Sequence, residues 1–111
     1  MSSGYGIRAA KGNIIEFKMK KGKAKGYLIV ANDRGLHTRP STEVVKCASH
    51  YSSSIKLTYQ KWEVNARSLL GVLMLAATKG ARIGITAEGE DAEEAVQALE
   101  DLAKKNFNVK Y

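Results

Sequence analysis

The chain has one cysteine, Cys47, so it cannot close an internal disulfide and is no disulfide-stapled secreted scaffold. A reducing, cytoplasmic setting is expected. Long apolar runs are missing too. The longest, SLLGVLMLAA at positions 68–77, is about half of what a bilayer span requires, and the N-terminal segment lacks the apolar core of a secretory signal. Neither membrane insertion nor export is expected. No GxxxxGK[ST] loop occurs, which argues against the chain binding its own ATP. The two histidines, His37 and His50, lie far apart, with no cysteine or carboxylate at metal-ligand spacing. No metal and no other cofactor is therefore expected, and Cys47 reads as a small helix residue at the core margin.

What remains is the composition of a soluble globular protein, and 111 residues suffice for one domain with a modest core. The formal charge of +7 suggests nucleic acid until it is divided along the chain. Residues 1–25 hold seven basic side chains against Glu16 alone, a balance of +6, whereas residues 26–111 hold 11 basic and 10 acidic ones, a balance of +1. The basicity belongs to the N-terminal segment and the domain is near neutral. With only Tyr5 and Phe17 as aromatics in that segment, a nucleic-acid-binding α+β domain led by its basic arm is the weaker reading, and no nucleic-acid partner is expected.

From Gly26 onward short apolar runs alternate with turn chemistry. YLIV (27–30) reads as a strand and ANDRG (31–35) as a turn or loop. Pro40 suits the first turn of a helix, where its missing N–H costs nothing, and Val44, Cys47, Ala48 and Tyr51 follow at helical spacing, which predicts a helix over about 39–51. IKLTY (55–59) and WEVNA (62–66) alternate as strands around Gln60 and Lys61, although the glycine or asparagine that favours a hairpin turn is missing. Ser68 is typed as an N-cap for an apolar helix over 69–77, with Gly80 as its stop. ARIGITA (81–87) is a last strand, and Ala92, Ala95, Val96, Leu99, Leu102 and Ala103 form the stripe of a helix over 91–105. The order βαββαβα, with an antiparallel hairpin in its middle, predicts an α+β sheet with helices on one face.

GLHTRP (35–40) places a histidine just ahead of a helix N-terminus. Such an end carries unpaired N–H groups and partial positive charge, so an anion there gains charge-assisted hydrogen bonds of roughly 1.5 to 3 kcal/mol each. Phosphate fits that demand. Arg39 adds a planar fork for phosphoryl oxygens, Gly35 permits an unusual backbone approach, and Pro40 fixes the helix start.

GLHTRPS, ARSLLGVL (66–73) and TKGARIGITAEGEDAEEAVQALEDL (78–102), in that order, resemble the HPr family, the histidine-containing phosphocarriers of the bacterial phosphoenolpyruvate-dependent sugar phosphotransferase system. The likeness covers about residues 24–106. It implies an open-faced β-sandwich, a four-stranded antiparallel sheet with three helices on one side. It also implies that His37 accepts a phosphoryl group on Nδ1 from enzyme I and passes it to IIA domains of sugar permeases, with Thr38 and Arg39 binding the phosphate. Such a protein is a stoichiometric carrier, turning nothing over alone.

By the same resemblance Ser68 is a regulatory site for an ATP-dependent HPr kinase/phosphorylase, besides being an N-cap. Thr42 and Lys46 on the first helix, with Leu69, Leu70 and Leu73 on the second, are the expected docking residues, and a monomer is expected. A regulatory-only relative acting through phospho-Ser68 is the alternative, weighed against by the presence of His37. Met74 departs from the family pattern, being large and apolar where relatives carry a small or polar residue. HPr proteins usually begin at their first strand, whereas residues 1–23 are an extension here, either an added strand pairing with the edge strand 27–30, a disordered arm, particularly over 1–12, or in part vector-derived. NIIEFKMK (13–20) is its strand-like part, and KKGKAKG (20–26) a flexible connection to the HPr-like domain, residues 24–111.

Overall fold

The structure, a computed structural model, describes residues 22–110. In chain order the elements are β1 (Gly22–Ile29), α1 (Thr38–Ala48), β2 (Ser54–Tyr59), β3 (Trp62–Asn65), α2 (Leu69–Met74), β4 (Arg82–Gly89) and α3 (Ala92–Lys104), followed by one 3₁₀ turn, Asn106–Asn108. The four strands form one antiparallel sheet in the order β1-β4-β2-β3. Each strand alternates as its sequence does: Leu28, Ile55, Leu57, Ile83, Ile85 and Ala87 turn inward, while Lys25, Lys56, Thr58 and Arg82 face solvent. All three helices cover the inward face, bringing Val44 and Ala48 of α1, Val72 of α2 and Ala95 and Leu99 of α3 onto those strand residues. The other face is open, with Arg82 stacked over Tyr27 at 4.0 Å. The fold is the α+β sheet with helices on one face that the element order predicts, and the open-faced sandwich that the resemblance implies.

Four differences in the elements have identifiable causes. β1 begins at Gly22, and Gly22 to Gly26 of the stretch read as a flexible connection pair with Ile85 to Gly89 of β4. The first helix ends at Ala48, earlier than 51, because its last turn tightens: His50 N–H donates to the Cys47 carbonyl and Tyr51 N–H to that of Ala48. The second ends at Met74, earlier than 77, since Ala76 takes φ +50 and turns the Ala77 carbonyl toward Leu36. Gly80, at φ +89, thus serves the turn into β4 and not the helix stop. The hairpin closes without glycine because Gln60 itself adopts φ +56. Readings made for residues 1–21, including the strand-like 13–20, lie outside the described residues.

Two polar ties brace the frame. Asp91 is the N-cap residue of α3, but its carboxylate reaches back across the fold, accepting from the amides of Ser52 and Ser53 at 2.9 Å each and from the Ser53 hydroxyl. The Ser53 hydroxyl, first, and these amides lower its pKa from 3.8 to about 2. Arg67 takes up carbonyls at the end of α1, donating from Nε to Ala48 at 3.3 Å and from its terminal nitrogen to Tyr51 and to Ser53, the last at 3.0 Å. The helix's orphan acceptors are thereby satisfied from the segment just ahead of Ser68.

Candidate functional site

The loop from β1 to α1 is shaped before the helix begins. Asn32 makes an Asx turn, its side-chain carbonyl accepting from Arg34 N–H at 2.9 Å, and Gly35 follows at φ +74. A Cβ on Gly35 would stand 2.5 Å from the Ala77 carbonyl oxygen. This is the close approach the glycine permits, and it lets Leu36 N–H donate to that carbonyl at 2.9 Å. Leu36 is buried, and its own carbonyl accepts from the buried Ser41 hydroxyl at 3.1 Å. Anchored on both sides, the chain delivers His37 to the surface.

His37 is the N-cap residue of α1, in extended conformation (φ −76, ψ −172), and its imidazole makes no capping hydrogen bond. Thr38 and Arg39 open the helix, Pro40 has no N–H, and the first intrahelical amide is that of Ser41, donating to the His37 carbonyl at 2.9 Å. Two amides, those of Thr38 and Arg39, are thus left at the helix entrance beside an exposed imidazole. Pro40 is the third helical residue and removes the amide that would have been the third of the set.

His37 and Thr38 form one wall of an open cleft of about 320 Å³, faced by Arg34 and by Leu73, Ala77 and Thr78 from α2 and the chain leaving it. Arg34 and the 76–78 segment went unnoticed in the sequence because nothing local marks them; the 2.9 Å Leu36–Ala77 bond brings them there. Arg39 is exposed and does not line this cleft. It lies one turn before Glu43, whose carboxylate is held below its usual range chiefly by the Asn108 amide, with Lys46 and Arg39 adding to the effect. Thr42 donates its hydroxyl to the Thr38 carbonyl at 2.7 Å, and Lys46 bridges to Glu43 at 3.4 Å.

Ser68 is the N-cap of α2, its hydroxyl oxygen accepting from Gly71 N–H at 3.0 Å, and it is solvent-exposed. Next to it Leu69 and Leu70 stand 37% and 70% exposed, and Met74, 54% exposed, extends the same apolar surface. Of the expected docking residues, Leu73 reaches the His37 cleft, whereas Leu69 and Leu70 lie outside its walls on the adjoining helix. Cys47 is half-buried against the core, and burial pushes its thiol pKa up, so it is a poor nucleophile. Among the described residues no three metal-ligating side chains cluster, and no helix is long and apolar enough to cross a membrane.

Comparison with known proteins places this geometry. The family model described as "PTS HPr component phosphorylation site" matches residues 24–105. The phosphocarrier protein HPr of Xylella fastidiosa strain 9a5c is 42% identical over 81 residues, covering 73% of this chain and 91% of that one. Among solved structures, HPr-C-His from Thermoanaerobacter tengcongensis superposes with a TM-score of 0.75 at 35% identity, covering 79% of this chain and 99% of its own. The phosphocarrier protein HPr from Bacillus anthracis does so with 0.69 at 34%, covering 73% and 96%. With an open-faced sandwich, an uncapped helix entrance beside a histidine, and a match across most of its length, the chain belongs to the HPr family, the phosphocarrier proteins, not catalysts, of the phosphotransferase system.

Proposed function

We propose that His37 is the residue that carries the phosphoryl group. The observation that supports this is its place at the N-cap of α1 with an imidazole engaged in no cap, next to the amides of Thr38 and Arg39, which meet no acceptor among the described residues. In the transfer, the Nδ1 lone pair attacks phosphorus, the P–N bond forms, and the bond from phosphorus to the donor breaks. The same step in reverse hands the group on. The Thr38 and Arg39 amides and the Arg39 fork bind the phosphoryl oxygens, where the helix end and the guanidinium both favour negative charge. The family acts with phosphotransferase-system partners. On our reading enzyme I is the donor and IIA domains the acceptors, docking in turn across Thr42, Lys46, Leu69, Leu70 and Leu73 to a monomeric, cytoplasmic carrier.

Incubation with phosphoenolpyruvate and enzyme I, followed by intact-mass measurement, tests the carrier site. An acid-labile phosphoryl adduct is expected, and it is expected to be absent from His37→Ala. An adduct that persists in that variant would remove His37 from the role.

Ser68, in the same reading, is the regulatory site of an HPr kinase/phosphorylase. Its exposure and its neighbours Leu69 and Leu70 support this, because a phosphate adds about −1.5 to −2 charge beside the apolar docking pair. The hydroxyl already caps α2, so an anion at that position leaves the helix intact while opposing partner docking. Labelling by ATP and an HPr kinase that survives in Ser68→Ala would place the modification elsewhere.

A further inference from the structure

Gly84 lies within β4, an inner strand flanked by β1 and β2, where a glycine weakens the strand. The ordinary reasons for one fail here. Gly84 sits opposite Tyr27 on one side and Thr58 on the other in unbroken register, so it marks no bulge. Its backbone is outside the left-handed region, so no conformation that other residues resist requires it. A Cβ would meet nothing nearer than the Thr58 carbonyl oxygen at 3.7 Å, so close packing does not require it either. The Tyr27 ring comes only to 4.0 Å of that Cβ position, bordering the space without filling it. What remains is room on the open face of the sheet for a group from outside the chain.

That room is the floor of an open cleft of about 320 Å³, whose rim carries Lys25, Tyr27, Thr58, Arg82 and Thr86 and no carboxylate. Lys25 and Thr86 pair with each other two residues along from the Tyr27–Gly84 pair, about 7 Å away and within reach of a lysine side chain. Arg82 comes from the opposite end, and its guanidinium already lies over the Tyr27 ring at 4.0 Å. Neither cation has a carboxylate within ion-pair distance among the described residues, whereas the other two lysines of this face are matched, Lys23 to Glu88 at 3.3 Å and Lys56 to Glu63 at 3.8 Å. The unmatched positive charge is therefore confined to the cleft. A nucleic-acid strand or an acidic chain segment calls for a continuous basic stripe, which Glu63 and Glu88 interrupt. A compact anion suits the cleft better. A phosphate group brings about two charges and three acceptor oxygens, which a guanidinium fork, an ammonium and two hydroxyls satisfy together.

We propose that the cleft over Gly84 binds the phosphate group of a small molecule. Arg82 and Lys25 hold the phosphate oxygens, Thr58 and Thr86 donate from their hydroxyls, and whatever bears the phosphate rests above Gly84 beside Tyr27. The site shares no residue with the His37 cleft and does not depend on the role given to His37.

Nuclear magnetic resonance titration of the full chain with phenyl phosphate and with inorganic phosphate, at an ionic strength held constant with chloride, tests this. Saturable shifts of the Thr58, Gly84 and Ile85 amides are expected. Gly84→Val alters no charge, suits a strand and fills the floor, so it is expected to abolish those shifts while the melting temperature holds. Arg82→Ala is expected to weaken binding at least roughly tenfold, the loss of one charge-assisted contact. Shifts confined to Thr38 and Arg39 would overturn the proposal, since the anion would then bind only at the entrance of α1. So would shifts around Gly84 that survive either substitution, or none there at all. Tighter binding of phenyl phosphate than of inorganic phosphate identifies an ester as the ligand, and the reverse order identifies free phosphate.

Discussion

The amide of Leu36 donates to the carbonyl of Ala77 at 2.9 Å, and this one backbone bond ties the residue before His37 to the chain leaving α2. The approach is possible because Gly35 lacks a Cβ. In Gly35→Ala that atom would stand 2.5 Å from the same carbonyl oxygen, on a backbone at φ +74. The left-handed conformation alone costs about 1–2 kcal/mol, and the clash adds to it. A melting temperature lowered by at least about 4–8 °C is expected by calorimetry. An unchanged melting temperature would mean that the loop does not depend on this contact.

Arg39 is exposed and makes no hydrogen bond with its guanidinium among the described residues, so its removal should spare the fold and slow transfer. Loss of one charge-assisted interaction of about 1.5–3 kcal/mol corresponds to a rate lowered roughly 10- to 100-fold in Arg39→Ala. Arg39→Lys should recover only part, because an ammonium keeps the charge but loses the fork. Rapid-quench phosphorylation by enzyme I, with thermal melts as the control, separates the two effects.

Ser68→Ala and Ser68→Asp are predicted to part company. Alanine loses the 3.0 Å bond to Gly71 N–H and should cost about 1 kcal/mol of stability. Aspartate keeps a capping oxygen and adds a charge that a helix entrance favours, so its urea midpoint should equal or exceed the parent's. Phosphorylation by enzyme I should nonetheless be slower in Ser68→Asp than in Ser68→Ala. Equal rates in the two variants would dissociate this position from docking.

Acid should loosen the tie between α3 and the start of β2. The Asp91 carboxyl is lowered from 3.8 to about 2 in the folded protein, mainly by the Ser53 hydroxyl. A depressed folded-state value means the stabilisation is fully present above 3.8 and fades as the pH falls toward about 2. Thermal melts from pH 6 to pH 2 should therefore show a steeper decline for the parent than for Asp91→Asn. Parallel curves would show that the carboxylate's bonds do not persist in solution.

Phe107 is fully buried although it sits at φ +56 between Asn106 and Asn108, both also left-handed. Such a run in a non-glycine residue is held in place by what the ring gains inside. Phe107→Ala should destabilise by about 3–5 kcal/mol, measured by urea unfolding. A loss below about 1 kcal/mol would place the ring outside the cooperative core.

Much of this architecture was legible because most of its elements obey simple periods. The alternation of Ile83, Ile85 and Ala87 and the stripe from Ala92 to Ala103 announce a strand and a helix, and GLHTRP announces a helix entrance with a histidine beside it. The parts that escaped depend on contacts distant in sequence. Gly22 to Gly26 look flexible because lysine and glycine disfavour strands, yet pairing with β4 overrides that preference. The early end of α2 answers to Leu36, some forty residues away. Phe107 offers no local sign of burial, since its three-residue left-handed run has no sequence signature beyond the flanking asparagines.

The uncapped entrance of α1 has a thermodynamic meaning. A serine or aspartate in place of His37 would contribute about 1 kcal/mol to the fold, and the histidine forgoes it. On the proposed role of His37, the oxygens of a phosphoryl group on the imidazole would take up the Thr38 and Arg39 amides, and the helix would acquire its missing cap. Linkage makes the two sides of this equal: the free energy by which the group raises the folding stability also lowers its tendency to leave. The helix entrance would thereby contribute that increment to the transfer potential of the group. The difference in unfolding free energy between the phosphorylated and free proteins would read out that contribution.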